Sequence, residues 1–273
     1  MLLTKIHSVG NDYLIADCFD DIFDNSAQYA AKVCDRHLGI GADALILLMY
    51  SNDADFRTDV YDVYGNKITP TANALICAAK FALDNNITNK TTVSIQTESG
   101  VKYITVTDDD FTANLGQPVL TPQLIPVDYT GDLFVDKNIT VADENYSVTS
   151  VSVGNKPYTV IFTENGEELN EISINKIAPF IENNNIFPVG TNVVFVNVVE
   201  TKLLQARCWM KDIGEVVGSD LGAAAAFMAS SIKGLVDDAA TVELYGGDAK
   251  VEISDDDFLY MTTKPQKVFH IEW

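Results

Sequence analysis

The chain has 273 residues, 47% of them hydrophobic, and its 18 basic and 39 acidic residues give a formal net charge of −21. This length favours two domains that each bury a core, and the composition excludes a disordered or membrane-embedded chain. The negative charge repels phosphate backbones and anionic lipids, so we expect neither nucleic acid nor a membrane as a partner.

Targeting and metal-binding signals are not found in the sequence. Residues 1–12 contain one lysine and no continuous apolar run, so we predict no signal peptide and a cytoplasmic location. The longest weakly polar run, 221–232, is far shorter than the roughly twenty residues that span a bilayer. The four cysteines and three histidines lack metal-ligand spacing, so we predict reduced core cysteines and no metal site.

In chain order, the predicted elements follow the same succession in both halves of the sequence. A helix over 72–83 is followed by a hairpin of 92–97 with 101–107. A second helix over 220–233, with Gly234 as its C-terminal cap, is followed by a hairpin of 240–245 with 249–254. The small residues of both helices indicate close packing by strands on all sides.

Short strings also recur in the same order, which indicates a duplication. Ser8-Val9-Gly10-Asn11 returns as Ser152-Val153-Gly154-Asn155, and Asp108-Asp109-Asp110-Phe111 returns as Asp255-Asp256-Asp257-Phe258.

The duplication predicts an α+β fold with two pseudo-symmetric domains, each a mostly antiparallel sheet wrapped around a central helix. We place the N-terminal domain at residues 1–118, with the C-terminal segment 263–273 returning to it, and the C-terminal domain at 119–262. Prolines near 117–123 mark the connection between them.

Two N-terminal strings, Lys5-Ile6-His7-Ser8-Val9-Gly10-Asn11-Asp12-Tyr13 and Asp35-Arg36-His37-Leu38-Gly39-Ile40-Gly41-Ala42-Asp43, resemble the opening of diaminopimelate epimerases. The resemblance continues through 152–155 and Gly190-Thr191-Asn192 to the closing hairpin. It implies a diaminopimelate-epimerase-like fold, a homodimer, and an isomerase of lysine biosynthesis that racemises amino acids without pyridoxal phosphate or any other cofactor.

The family uses two cysteines, one on each side of the substrate α-carbon and each at the N-terminus of a central helix. A helix N-terminus lowers the pKa of a cysteine, so that a thiolate base and a thiol acid coexist at neutral pH. The family motif Cys-Gly-Asn-Gly corresponds here to Thr71-Ala72-Asn73-Ala74, and Cys-Gly-Ser-Gly corresponds to Ser219-Asp220-Leu221-Gly222. The resemblance therefore places hydroxyl residues at both catalytic positions.

Substrate recognition differs from the family as well. The family's Glu-Arg pair corresponds to Met210-Lys211, and an asparagine corresponds to Asp62. The asparagines that remain at family substrate-binding positions are Asn11, Asn73, Asn155 and Asn192. Asparagine amides also tie down turns, so a structural role for these four is an equal alternative.

Two hypotheses about function follow. In the first, Thr71 and Ser219 are helix N-caps, and the chain is an epimerase-like protein without two-thiol activity, either non-catalytic or binding a small amino or carboxylic acid. In the second, the chain is an isomerase or dehydratase of such an acid, and a carboxylate replaces the thiols as base. The candidates for that base are Asp220, Asp62 and Glu215.

Overall fold

The computed structural model describes residues 1–19, 25–141 and 144–273 and separates into two compact units. Unit 1 comprises Met1–Asn114 and Thr262–Trp273, and unit 2 comprises Leu115–Met261. The predicted domain limits stay a prediction, because a compact unit is not by itself an independently folding domain. Within the described residues, every helix falls short of the length and apolar character needed to cross a membrane.

The described residues of unit 1 form a sheet and two helices. Its elements in chain order are β1 (Leu2–Ser8), β2 (Asn11–Asp17), α1 (Ser26–Val33), β3 (Ala44–Met49), β4 (Phe56–Asp62), β5 (Lys67–Ile68), α2 (Ala72–Asp84), β6 (Thr92–Thr97), β7 (Gly100–Thr107) and β8 (Asp110–Gly116), with β8 ending in unit 2.

Unit 2 repeats this succession with one additional helix. Its elements are β9 (Lys137–Val141), β10 (Glu144–Val153), β11 (Lys156–Phe162), α3 (Gly166–Glu171), α4 (Ile174–Glu182), β12 (Asn192–Glu200), β13 (Leu203–Met210), β14 (Gly214–Val216), α5 (Asp220–Ile232), β15 (Ala239–Leu244) and β16 (Gly247–Ile253). Strand β17 (Leu259–Thr263) crosses the boundary, and β18 (Gln266–Glu272) belongs to unit 1.

Strand pairing shows the duplication directly. In unit 1 the pairs β1–β2, β3–β4 and β6–β7 are antiparallel, whereas β2–β3 and β4–β6 are parallel. In unit 2 the equivalent pairs β10–β11, β12–β13 and β15–β16 are antiparallel, whereas β11–β12 and β13–β15 are parallel. Parallel neighbours require a crossover, and α2 and α5 supply the second one in each unit. The predicted α+β class is thereby confirmed.

Helices α2 and α5 occupy the centre of their units. Helix α2 contacts β1, β2, β3, β6 and β7, and α5 contacts β10, β11, β12, β13, β15 and β16. Five alanines and one glycine are among the buried residues of α5, together with the larger Phe227 and Met228, and the small side chains allow strands to pack closely on several sides. Helix α2 ends one residue after its predicted end, and α5 ends one residue before its own predicted end. Gly234 follows α5 at φ +66°, a left-handed conformation that glycine adopts without strain.

Candidate functional site

Both central helices begin at a hydroxyl residue. The Thr71 side chain accepts a hydrogen bond from the Ala74 amide at 3.2 Å, and the Ser219 side chain accepts one from the Gly222 amide at 3.0 Å. These are N-cap contacts, in which a side-chain oxygen satisfies an amide of the first helical turn. The family-motif positions therefore lie at equivalent helix N-termini, one in each unit.

A tyrosine lies beside each cap. In unit 1 the hydroxyls of Tyr13 and Thr71 are 3.2 Å apart. In unit 2 burial raises the pKa of the Tyr158 hydroxyl well above its ordinary value, Asp220 and Cys208 add to this effect, and a contact with the Ser219 side chain opposes it. Sequence reasoning missed both tyrosines, although each follows the repeated Ser-Val-Gly-Asn string and could have been found from that position.

The N-terminus of α5 carries a carboxylate of its own. Asp220 is 6% exposed, and its Oδ1 accepts a hydrogen bond from the Leu221 amide at 2.8 Å. The Ser219 carbonyl accepts a further bond from the Ala223 amide at 2.9 Å. An aspartate in the first turn interacts favourably with the helix dipole. The chain itself therefore supplies the negative charge that this helix end would otherwise attract from a ligand.

The cysteine nearest to that helix end is Cys208 on β13. A Cβ built on Gly222 would stand 2.7 Å from the Cys208 sulfur and 3.0 Å from the Ser219 hydroxyl, so sulfur and hydroxyl lie close together. Burial raises the pKa of Cys208 to about 12, with further contributions from Glu215 and Asp220. A thiol in this state stays protonated at neutral pH and is a poor base.

The other three cysteines are also buried and reduced. Burial raises the pKa of Cys77 well above its ordinary value and that of Cys34 to about 12, and in both cases Asp12 adds to the effect. Cys77 lies inside α2, not at its start. All four cysteines belong to the described residues, and none of them is the N-cap residue of a helix.

The predicted substrate-binding asparagines of unit 1 hydrogen-bond to protein groups. Asn73 is fully buried, donates to Asn11 Oδ1 at 2.9 Å and accepts from the Ser8 hydroxyl at 3.0 Å. Ser8 in turn lies 2.8 Å from the Thr263 hydroxyl, and the Asn11 amide donates to Asp43 Oδ2 at 3.3 Å. The network ties β1 and α2 to the C-terminal segment.

The asparagines of unit 2 are placed differently. Asn192 donates to the Pro157 carbonyl at 2.9 Å and accepts from the Lys211 amide at 2.9 Å, which joins three neighbouring segments. Asn155 occupies the turn between β10 and β11 at φ +59°, a left-handed conformation that asparagine tolerates well. The hydrogen bonds of Asn192 and the turn conformation of Asn155 fit the structural role, and the substrate-binding role stays a prediction.

The three candidate bases have different surroundings. Asp62 accepts hydrogen bonds from the amides of Tyr64 and Asn66 at 2.9 and 2.8 Å. Burial would raise the pKa of Asp62, but these bonds and one from the Asn66 side chain outweigh it and lower that pKa. The Oε1 atom of Glu215 accepts a hydrogen bond from Arg207 Nε at 2.8 Å and lies 2.8 Å from Arg207 Nη2. Asp220 is the candidate buried beside Ser219 and Tyr158.

Within the described residues, no group of three or more His, Cys, Asp or Glu side chains is arranged to hold an ion.

Comparison with known proteins gives the family. The chain is 35% identical to the diaminopimelate epimerase of Acetivibrio thermocellus over 100% of this chain and 98% of that protein. It is 36% identical to the diaminopimelate epimerase of Methanococcus maripaludis strain C5, over 100% and 99% of the two chains. A solved phenazine biosynthesis PhzC/PhzF protein from Clostridium difficile shares the fold, with a TM-score of 0.71, 10% identity and coverage of 100% and 99%.

The profile of the diaminopimelate epimerase family matches residues 3–121 and 149–268, which include both helix N-termini. This match agrees with the N-terminal strings and the duplicated topology, and the resemblance predicted from the sequence is confirmed. The chain belongs to the diaminopimelate epimerase family.

Proposed function

We propose that this chain binds a small amino or carboxylic acid but does not epimerise it through two thiols. The observation that carries the proposal is that both central helices begin at capping hydroxyls. Serine and threonine are weak nucleophiles and poor bases unless a neighbouring base activates them. The buried cysteines offer no substitute, because their raised pKa values keep them protonated.

The relatives named diaminopimelate epimerase suggest the ligands to test first. We expect that the purified chain, in deuterium oxide with meso- or LL-diaminopimelate, exchanges the α-proton no faster than buffer does. Proton NMR measures this exchange directly, and it is the elementary act of epimerisation. Exchange in the wild-type protein would contradict the proposal.

The double variant Thr71→Cys and Ser219→Cys is the matched comparison. Exchange in the double variant alone would show that the missing thiols are the sole defect and that the surrounding site is intact. If the double variant is inactive as well, changes around the caps, Asp220 among them, also prevent the reaction.

A second candidate function is an isomerase or dehydratase of a small carboxylic or amino acid that uses Asp220 as its base. Its support is the position of Asp220, 6% exposed beside Ser219, while Asp62 and Glu215 are held by a turn and by Arg207. If some acid from a panel shows exchange, Asp220→Asn should abolish it and Asp62→Asn should preserve it. The reverse result would reject Asp220.

We further propose that the chain works in the cytoplasm as a homodimer and needs no cofactor. The family resemblance supports each point. Light scattering of the purified protein tests the dimer: a mass near twice the 29.9 kDa of one chain is expected, and a single-chain mass would contradict it.

A further inference from the structure

A cavity of about 170 Å³ lies in unit 2, between α3 and the strands β13 and β15. Successive side chains of a strand point to opposite faces of the sheet. Because Cys208 of β13 packs against α5, its neighbour Arg207 points away from that helix. Gln205 shares the face of Arg207 and pairs with Glu243 on the parallel strand β15. These polar side chains and α5 are therefore on opposite faces of the sheet.

Helix α3 covers one side of this cavity. A Cβ on Gly166, at the start of α3, would lie 2.9 Å from Gln205 Oε1, so the helix packs directly on the glutamine. Near the other end of α3, Arg207 Nη1 donates to the Leu169 carbonyl at 2.8 Å. Arg207 Nε donates to Glu215 at 2.8 Å. The guanidinium charge is therefore already matched within the protein, and Arg207 does not make the cavity a site for anions.

Glu243 supplies a negative charge in the cavity. Asn197, which is 7% exposed, donates to Gln205 Oε1 at 3.0 Å, and Gln205 Nε2 donates to Glu243 Oε2 at 3.0 Å. These two bonds hold the carboxylate in one orientation. Among the described residues, no lysine, arginine or histidine forms an ion pair with Glu243. A partly buried carboxylate without a counterion attracts a cation.

The oxygens on offer narrow the kind of cation. A calcium ion takes roughly six to eight oxygen ligands, and the described residues hold no cluster of side chains suited to a metal. A guanidinium binds best to both oxygens of a carboxylate, but Gln205 already donates to Oε2 of Glu243. A primary ammonium group is compact and can donate to the other oxygen alone.

We propose that this cavity binds a primary alkylammonium ion, with the ammonium group donating to Glu243 Oε1 and the alkyl chain lying against the Tyr245 ring. Tyr245 lines the cavity and is 62% exposed, so an alkyl chain that covers its ring removes apolar surface from water. The net charge of −21 concentrates cations near the protein. This site goes beyond the proposed function, and neither depends on the other.

Saturation-transfer NMR of the full chain with butylamine tests the site. Butanol, which has a hydroxyl in place of the ammonium group, and butyrate, which has the opposite charge, are the comparison probes. Butylamine should bind most tightly, and butyrate should not bind. Glu243→Gln should weaken binding of butylamine about tenfold or more, the usual effect of losing a hydrogen bond to a charged group.

Glu200→Gln is the matched control, because it removes one negative charge from an exposed position of the same unit. It should leave the affinity for butylamine unchanged. If Glu200→Gln and Glu243→Gln weaken binding equally, the attraction comes from the overall charge and the proposal is wrong. It is also overturned if butylamine does not bind the wild-type protein, or if butanol binds as tightly.

Tyr245 provides a second test that does not disturb the core, because its side chain is exposed. Tyr245→Ala should weaken binding of butylamine by roughly two- to fivefold, whereas Tyr245→Phe keeps the ring and should bind like wild type. Equal affinity of Tyr245→Ala and wild type would reject the assignment of the alkyl chain. Proton exchange with diaminopimelate tests the proposed function separately, so that either proposal can fail alone.

Discussion

The Cys208 sulfur occupies the space where a side chain on Gly222 would stand, since a Cβ on that glycine would lie 2.7 Å from it. Gly222 is in the first turn of α5 and Cys208 is on β13, so the contact fixes how closely the helix approaches the strand. The first-turn glycine is therefore required by packing in this chain.

We predict that Gly222→Ala destabilises the fold even though alanine favours helix formation by about 1 kcal/mol. Overpacking of a close contact typically costs about 1 to 3 kcal/mol. Urea unfolding should show a net loss for Gly222→Ala and a smaller one when Cys208→Ala is also present, because the shortened side chain makes room for the methyl group. Equal losses in both backgrounds would show that the sulfur is not the obstacle.

Capping by the two hydroxyls gives a second prediction. Thr71→Ala and Ser219→Ala should each lower the free energy of unfolding by about 0.5 to 2 kcal/mol, the usual loss on removing an N-cap. Thr71→Ser and Ser219→Thr keep the accepting oxygen and should stay near wild type. If alanine at these positions is neutral in urea unfolding, the hydroxyls do not hold the helices.

The starts of α2 and α5 could be predicted from the sequence, because the start of a helix depends on the residues next to it. Thr71 and Ser219 are residue types that cap helices, and small residues follow both of them. The contacts of Tyr158 and Cys208 with α5 could not be predicted from the sequence. They form between strands and a helix in the tertiary fold, and such contacts leave no periodic pattern in the sequence. The surroundings of Asp62 were partly predictable. An aspartate shortly before Gly65-Asn66 is typical of a turn in which backbone amides donate hydrogen bonds to its carboxylate.

Thiol reactivity tests the electrostatic picture. With a pKa of about 12, Cys34 and Cys208 should react with iodoacetamide at pH 8 about a thousandfold more slowly than an ordinary cysteine, because only the thiolate reacts. Mass spectrometry of the native protein should find these sites unmodified and the urea-unfolded protein fully modified. The variant Thr71→Cys places a thiol at a half-buried helix N-terminus and should react readily. Fast labelling of Cys208 in the native protein would contradict its buried, protonated state.

The last prediction concerns Asp12, which is hydrogen-bonded to Arg36 at 3.1 Å and paired with Lys5 at 2.7 Å. Burial would raise the pKa of Asp12, but the two cations outweigh it and hold that pKa below its usual 3.8. A carboxyl with a lower pKa in the folded state contributes stability above the unfolded value, and this contribution is lost as the pH falls through the folded value.

Asp12→Asn should therefore lower the free energy of unfolding at pH 7 by about 1.5 to 3 kcal/mol, as expected for hydrogen bonds to charged groups. The difference from wild type should shrink as the pH falls below about 4, where the wild-type carboxyl begins to protonate. Asp43→Asn is a suitable comparison, because Asp43 also pairs with Arg36 but its side chain is 41% exposed, so a smaller loss is expected. Urea unfolding at pH 7, 5 and 3 measures all three proteins. A difference between Asp12→Asn and wild type that stays constant over this range would show that the carboxylate charge makes no contribution to the stability of unit 1.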